Sequence, residues 1–155
     1  MPFEVRENPR AVWTTEALEH IEKYEDEYRT GFTSEQIADQ REKIAKGMPD
    51  PQNWKGRVFE IFNDGVHIGN VVVIPRGEGV GEVDTAIFDA HQGHGYGKRA
   101  VAEVLSRIVP DSYQLIQGRI TGTNHEPERV RRLLKNCGFH PPGSLGGPLE
   151  IWNYP

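Results

Sequence analysis

The chain is short of several things, and each shortage excludes a class of protein. It has a single cysteine, Cys137, among 155 residues, so no internal disulfide can form and a reducing compartment suits it. No apolar run approaches the roughly 18 residues that a membrane span needs. The opening Met1-Pro2-Phe3-Glu4-Val5-Arg6-Glu7 carries no apolar signal core. These features read as a cytoplasmic protein without a membrane partner. There is no excess of positive charge either: the formal net charge is -5, which argues against nucleic acid as a partner. Internal repeats and low-complexity tracts are absent.

What is present fits one compact domain over residues 1–155, with 36% hydrophobic and 26% charged residues. Residues 3–7 read as a short first strand. Thr14 or Thr15 caps a helix carrying Leu18, Ile21 and Tyr28, which Gly31 ends. Thr33 and Gln36 form a capping box for a second helix with Ile37 and Ile44 on one face. From Gly56 the period changes to two. The strand around Val58–Phe62, the turn Asn63-Asp64-Gly65, the strand His67–Ile74 and the strand Glu82–Phe88 make an antiparallel meander.

The second half alternates helix and strand. A helix is expected over 95–109 with Val101, Val104, Leu105 and Ile108 in register, stopped by Pro110. A strand follows at Tyr113–Thr121. A helix then opens at Pro127 and is capped by Gly138, and a last strand spans Leu149–Tyr154. The order β-α-α-β-β-β-α-β-α-β predicts an α/β (α+β) fold with a mixed sheet. Trp13, Trp54 and Trp152 read as core or pocket walls, and Cys137 as a small core residue.

The segment Gln92-Gly93-His94-Gly95-Tyr96-Gly97-Lys98 joins a strand to an amphipathic helix. It reads either as a tight turn needing positive φ or as an anion site, with bare N–H groups at a helix start and Lys98 and Arg99 adding positive charge. A P-loop would need Ser or Thr after Gly97-Lys98, where Arg99 stands. A dinucleotide fingerprint would need G-x-G-x-x-G in a βαβ unit, and the spacing here is G-x-G-x-G after a meander.

Four signals in order resemble one family. Gln92 to Gly97 is similar to the Q/R-x-x-G-x-G/A motif of the GCN5-related N-acetyltransferases (GNAT). Gly81-Glu82-Val83-Asp84-Thr85-Ala86-Ile87-Phe88 resembles the strand before that motif. Asn124 holds roughly the place of the family's Asn. Arg132 to Phe139 resembles its closing helix and Gly-Phe end. The pattern is most similar to the ribosomal-protein N-terminal acetyltransferase group. The resemblance implies a mostly antiparallel sheet flanked by helices, whose fourth and fifth strands splay apart at a bulge. It also implies acetyl-CoA as cosubstrate, and a primary amine, either a small molecule or a protein N-terminus, as acceptor. A homodimer is common in the family.

By that resemblance the backbone of Ala86, Ile87 and Phe88 would pair with the pantetheine arm. Gln92, Gly93, His94, Gly95, Tyr96, Gly97 and Lys98 would surround the pyrophosphate, and Asn124 would reach the pantetheine or acetyl end. Glu82 is the leading general base, read otherwise as a solvated acid at a strand end. Asp84, on the same face by the two-residue period, could serve instead or hold a cationic acceptor. Leu134 stands where many members carry a proton-donating tyrosine. A non-catalytic acyl-CoA-binding module on the same scaffold is therefore the alternative. No His/Cys spacing matches a metal site.

Overall fold

The computed structural model describes residues 3–52, 56–109 and 113–155; Trp54 and Pro110 lie outside them. The strands are β1 (Phe3–Asn8), β2 (Arg57–Asn63), β3 (Val66–Pro75), β4 (Val80–Ile87), β5 (Leu115–Thr121) and β6 (Leu149–Tyr154). The helices are α1 (Thr15–Lys23), α2 (Glu25–Tyr28), α3 (Ser34–Ala45), α4 (Tyr96–Ile108) and α5 (Pro127–Asn136), with a 3-10 turn at Asp89–His91. The element order is the expected one, except that the first helix is two.

Local chemistry explains most boundaries. Thr14 accepts from the Ala17 N–H, and Thr33 with Gln36 closes a full capping box. The chain leaves α1 at Tyr24, and α2 ends at Arg29 in the left-handed region rather than at Gly31. Glu25 causes this end: its carboxylate accepts from the N–H groups of Thr30 and Gly31, which turns the chain away from a longer helix. Between β2 and β3 the loop is only Asp64-Gly65, both at positive φ, as a twist-matched hairpin turn requires. At the end of α5, Phe139 N–H donates to the Leu134 carbonyl and Gly138 N–H to that of Lys135, with Gly138 at φ +94. This is the Schellman pattern, and the Leu134 and Phe139 side chains share the core beneath it.

The six strands lie in the order β1-β2-β3-β4-β5-β6. All pairs are antiparallel except β4–β5, which run parallel and pair only over Val80–Glu82 and Leu115–Gln117. Beyond those residues the two strands part, which is the expected splay. The expected bulge is elsewhere: β3–β4 keep an unbroken register, and the irregularity lies in β2 at Ile61/Phe62. β5 starts at Leu115 rather than Tyr113, because the Tyr113 ring packs against Gly81, leaving no room there for a β-carbon.

The sheet separates two apolar clusters. On one face Phe59, Val71, Val73, Val83 and Ile116 meet Ala100, Val101, Val104, Leu105 and Ile108 of α4 and Leu134 of α5. The other face carries a smaller cluster of Trp13, Ala17, Leu18, Ile21 and Ile37, with Phe88 against it. Trp13 and Trp152 are thus core residues. Cys137 is half-buried against α4, its thiol near the Lys98 carbonyl.

Candidate active site

The parted strands open into a groove of about 680 Å³. Its floor is β4, its walls are the N-terminus of α4 and the face of α5, and α1–α2 and residues 124–126 form its rim. Gly93 and Gly95 stand at φ +86 and +76, with no atom within 4 Å of where a side chain would begin. No side chain therefore covers Gly93 or Gly95 at the start of α4, and Gly95 offers no side-chain cap of its own. Such a helix start is a ready anion site. Gly97 serves a different purpose: it is buried where α4 meets Leu133 of α5, and an added methyl would come within 2.8 Å of that side chain.

Of the residues expected around a cofactor, Ala86, Ile87, Gln92, Gly93, Gly95, Tyr96, Gly97, Lys98 and Asn124 line this groove. Two do not. Phe88 lines a second, smaller cavity adjoining the groove, and His94 is exposed at the loop tip beside Tyr96. The backbone assignment also changes. Phe88 N–H donates to Ile68 on β3, and the Ala86 carbonyl is turned against Gly69 of β3. By strand alternation, Thr85 and Ile87 present their backbone groups to the gap, and Thr85 was not among the sequence candidates. The Gln92 amide donates to the Ile87 carbonyl at 2.9 Å, fastening the loop to the strand end. Asn124 uses its side-chain oxygen to accept from Glu126 N–H at 2.8 Å.

The basic residues of the groove are Lys98, Arg129 and Arg132. Arg99 instead stacks over Phe3, 4.1 Å from the ring centre, outside the groove. The two arginines of α5 follow Pro127 at helical spacing, but sequence alone gave no reason to aim them at the glycine loop.

A family model for the acetyltransferase (GNAT) domain matches residues 3–140. The chain belongs to that family. No curated protein matches it significantly. Among solved structures it is similar to the Vibrio cholerae spermidine N-acetyltransferase in complex with CoA and spermine, at 17% identity and TM-score 0.61 over 98% of this chain and 93% of that one. It is also similar to the ribosomal-protein alpha-N-acetyltransferase RimL in complex with CoA, at 8% identity and TM-score 0.63 over 99% and 93%. A domain from Methanocaldococcus jannaschii matches at 14% identity and TM-score 0.63, over 97% of each chain. At these identities the likeness is one of fold.

In this acetyltransferase fold the two acids of β4 have different surroundings. Glu82 is buried, takes a hydrogen bond from Arg76 Nε at 2.8 Å and lies 3.4 Å from Arg119 Nε. Asp84 opens to solvent at the cleft yet is surrounded by protein atoms. Desolvation first, then repulsion from Glu82 and Glu27, raises its pKa to about 7.

Leu134 is buried in the core, its methyls packed over Gly118 of β5. The phenol hydroxyls on the groove are those of Tyr24, Tyr28 and Tyr96. Tyr24 donates to Asp89 and Tyr96 accepts from Asn63. Tyr28 pairs with His20 Nε2 at 3.1 Å, and both residues line the groove and the second cavity. Burial lowers the His20 pKa, and burial with the nearby Asp84 raises that of Tyr28. The polar aromatics His20, Tyr24 and Tyr28 recur every four residues, a signal that could have placed them together on one helix face. Among the described residues no helix is long and apolar enough to cross a membrane, and no group of three or more His, Cys, Asp or Glu side chains could hold a metal ion.

Proposed function

We propose that this chain is an acetyl-CoA-dependent N-acetyltransferase that acetylates a primary amine by direct attack within a ternary complex. The observation that carries this reading is the groove itself. The glycine loop at the start of α4, flanked by Lys98, Arg129 and Arg132, stands at one end, and the unpaired edge of β4 runs along the floor; Asp84 lines the smaller cavity that shares His20 and Tyr28 with the groove. CoA in the neighbouring spermidine and ribosomal-protein acetyltransferase structures agrees with it.

Acetyl-CoA would supply the thioester whose acyl carbon the amine attacks. The α4 start, Lys98 and the α5 arginines would hold the diphosphate, and Thr85 and Ile87 would pair with the pantetheine. Asp84 is the better placed base. Its pKa lets it remain partly deprotonated at neutral pH and still accept a proton from an ammonium. Glu82 holds Arg76 and Arg119 in place beside it. Tyr28, protonated throughout the working range, is the hydroxyl available to the departing thiolate. Incubating the protein with acetyl-CoA and a panel of amines, and following free thiol, tests the reading. Amine-dependent thiol release supports it; tight CoA binding with no turnover on any amine would favour the non-catalytic binding module instead.

A further inference from the structure

His67 plays no part in the acetyl transfer proposed above, yet its side chain is buried, with 8% exposed. Val71 and Val73 of the same strand face α4, and strict alternation would send His67 to that side too. The irregularity at Ile61/Phe62 shifts the register by one residue, so His67 stands opposite Phe62 and turns to the α1 face. There its ring stacks on Phe62 and meets Phe88 at nearly a right angle. Both ring nitrogens end on carboxylates. Nε2 lies 3.2 Å from Glu60 of β2, and Nδ1 lies 3.3 Å from Glu16 in the first turn of α1. A neutral imidazole has one donor and one lone pair, so one carboxylate would face that lone pair. Only the imidazolium donates to both.

We infer that His67 is a positioning residue: its imidazolium pins the first turn of α1 to the sheet, sets the His20–Tyr28 pair on the groove rim, and releases the pin when it loses its proton. The kinetic consequence rests on the acetyltransferase reading above; the pin itself does not. Burial disfavours the charge, but the contacts with Glu60 and Glu16 outweigh it and hold the His67 pKa above the usual histidine value. The pin is therefore complete below the unfolded-state pKa and is lost as pH rises through the folded one. Those two carboxylates are the charges that act on the ring; Arg6 of β1 stacks on Phe62, and Asn8 of β1 donates to Glu60 at 3.0 Å. Glu60 is buried and held from this second side, whereas Glu16 is half-exposed and has no other partner among the described residues. Deprotonation thus frees the α1 end, and Glu16 returns to water. The effect reaches the groove through Phe88, whose ring also packs on His20, the partner of Tyr28. Ala17, Leu18 and Ile21 keep α1 docked, so the rim adjusts without unfolding.

NMR of the His67 ring and the α1 amides from about pH 5 to about pH 9, in the wild type and in Glu16→Gln, tests this. In the wild type the ring titrates above the ordinary histidine value, and the amides of Ala17 and Leu18 and the His20 ring shift with the same midpoint. The titration of His20 itself lies lower, because burial lowers its pKa. In Glu16→Gln the His67 midpoint falls and the α1 response disappears. The acceptor KM, counted as neutral amine, rises about threefold through the wild-type midpoint while that for acetyl-CoA holds. This change is opposite in direction to the acid limb set by Asp84, and in Glu16→Gln the acceptor KM stays flat across that pH. The inference is overturned if His67 titrates at or below the ordinary value, if α1 stays still through its step, or if Glu16→Gln shows the same rise in KM. Ring and α1 moving together with no turnover of any amine would instead remove the acetyltransferase reading and leave the pin.

Discussion

The two acids of β4 differ by two positions in sequence, yet their surroundings separate them. Glu82 is buried and paired with Arg76 and Arg119, whereas Asp84 is exposed and lies beside the like charges of Glu82 and Glu27. Asp84→Asn is expected to lower kcat/KM by about 10²–10³, within the range of general base catalysis. The acid limb of the kcat/KM profile near pH 7 should disappear with it. The same substitution has a stability consequence. A carboxyl whose folded pKa is raised binds its proton more tightly in the folded state, so stability falls as pH rises through about 7. Asp84→Asn should therefore raise the melting temperature at pH 8 and change it little at pH 4. Tyr28→Phe removes only the hydroxyl beside His20 and should lower kcat more than it changes KM, as steady-state kinetics across pH would show.

At the scale of elements, the position of Leu134 decides a question that sequence left open. Its side chain fills the space above Gly118, where an added β-carbon would meet it at 2.4 Å. A tyrosine in its place has to displace β5 or leave the core. Leu134→Tyr is expected to destabilise the protein by about 1–3 kcal/mol in chemical denaturation, without a gain in turnover. A gain in turnover would show that the general acid belongs there after all. Arg131 and Trp152, with Gly146 N–H, hold the Glu150 carboxylate and draw its pKa to about 2, tying α5 to β6. A depressed carboxyl contributes stability above its unfolded pKa and loses it as pH falls toward the folded value. Glu150→Gln should thus cost stability at neutral pH and cost progressively less toward pH 2.

Whole-molecule topology was largely legible in the sequence, because caps, hairpin glycines and two clear periodicities each act locally. Thr33 with Gln36, Asp64-Gly65 and Gly138 all do in the structure what their chemistry predicts. The end of α2 at Arg29 was not legible, since it depends on Glu25 accepting from residues beyond the helix. The turn into α4 was legible by its glycines. The arginines facing it were not, because their aim depends on how α5 packs on α4 at Gly97 and Leu133. Nor were the different surroundings of Asp84 and Glu82, since Arg119 reaches Glu82 from a strand far along the chain.

The central claim is that main-chain amides at the start of α4 hold a coenzyme diphosphate in the gap between β4 and β5. Backbone amide chemical shifts, followed while CoA is titrated into the protein, test it most directly. The account predicts saturable shifts greatest at Gly93, Gly95, Gly97 and Lys98, extending to Thr85 and Ile87 along β4. Saturation with those amides unmoved, or with the shifts gathered on another surface, would contradict it.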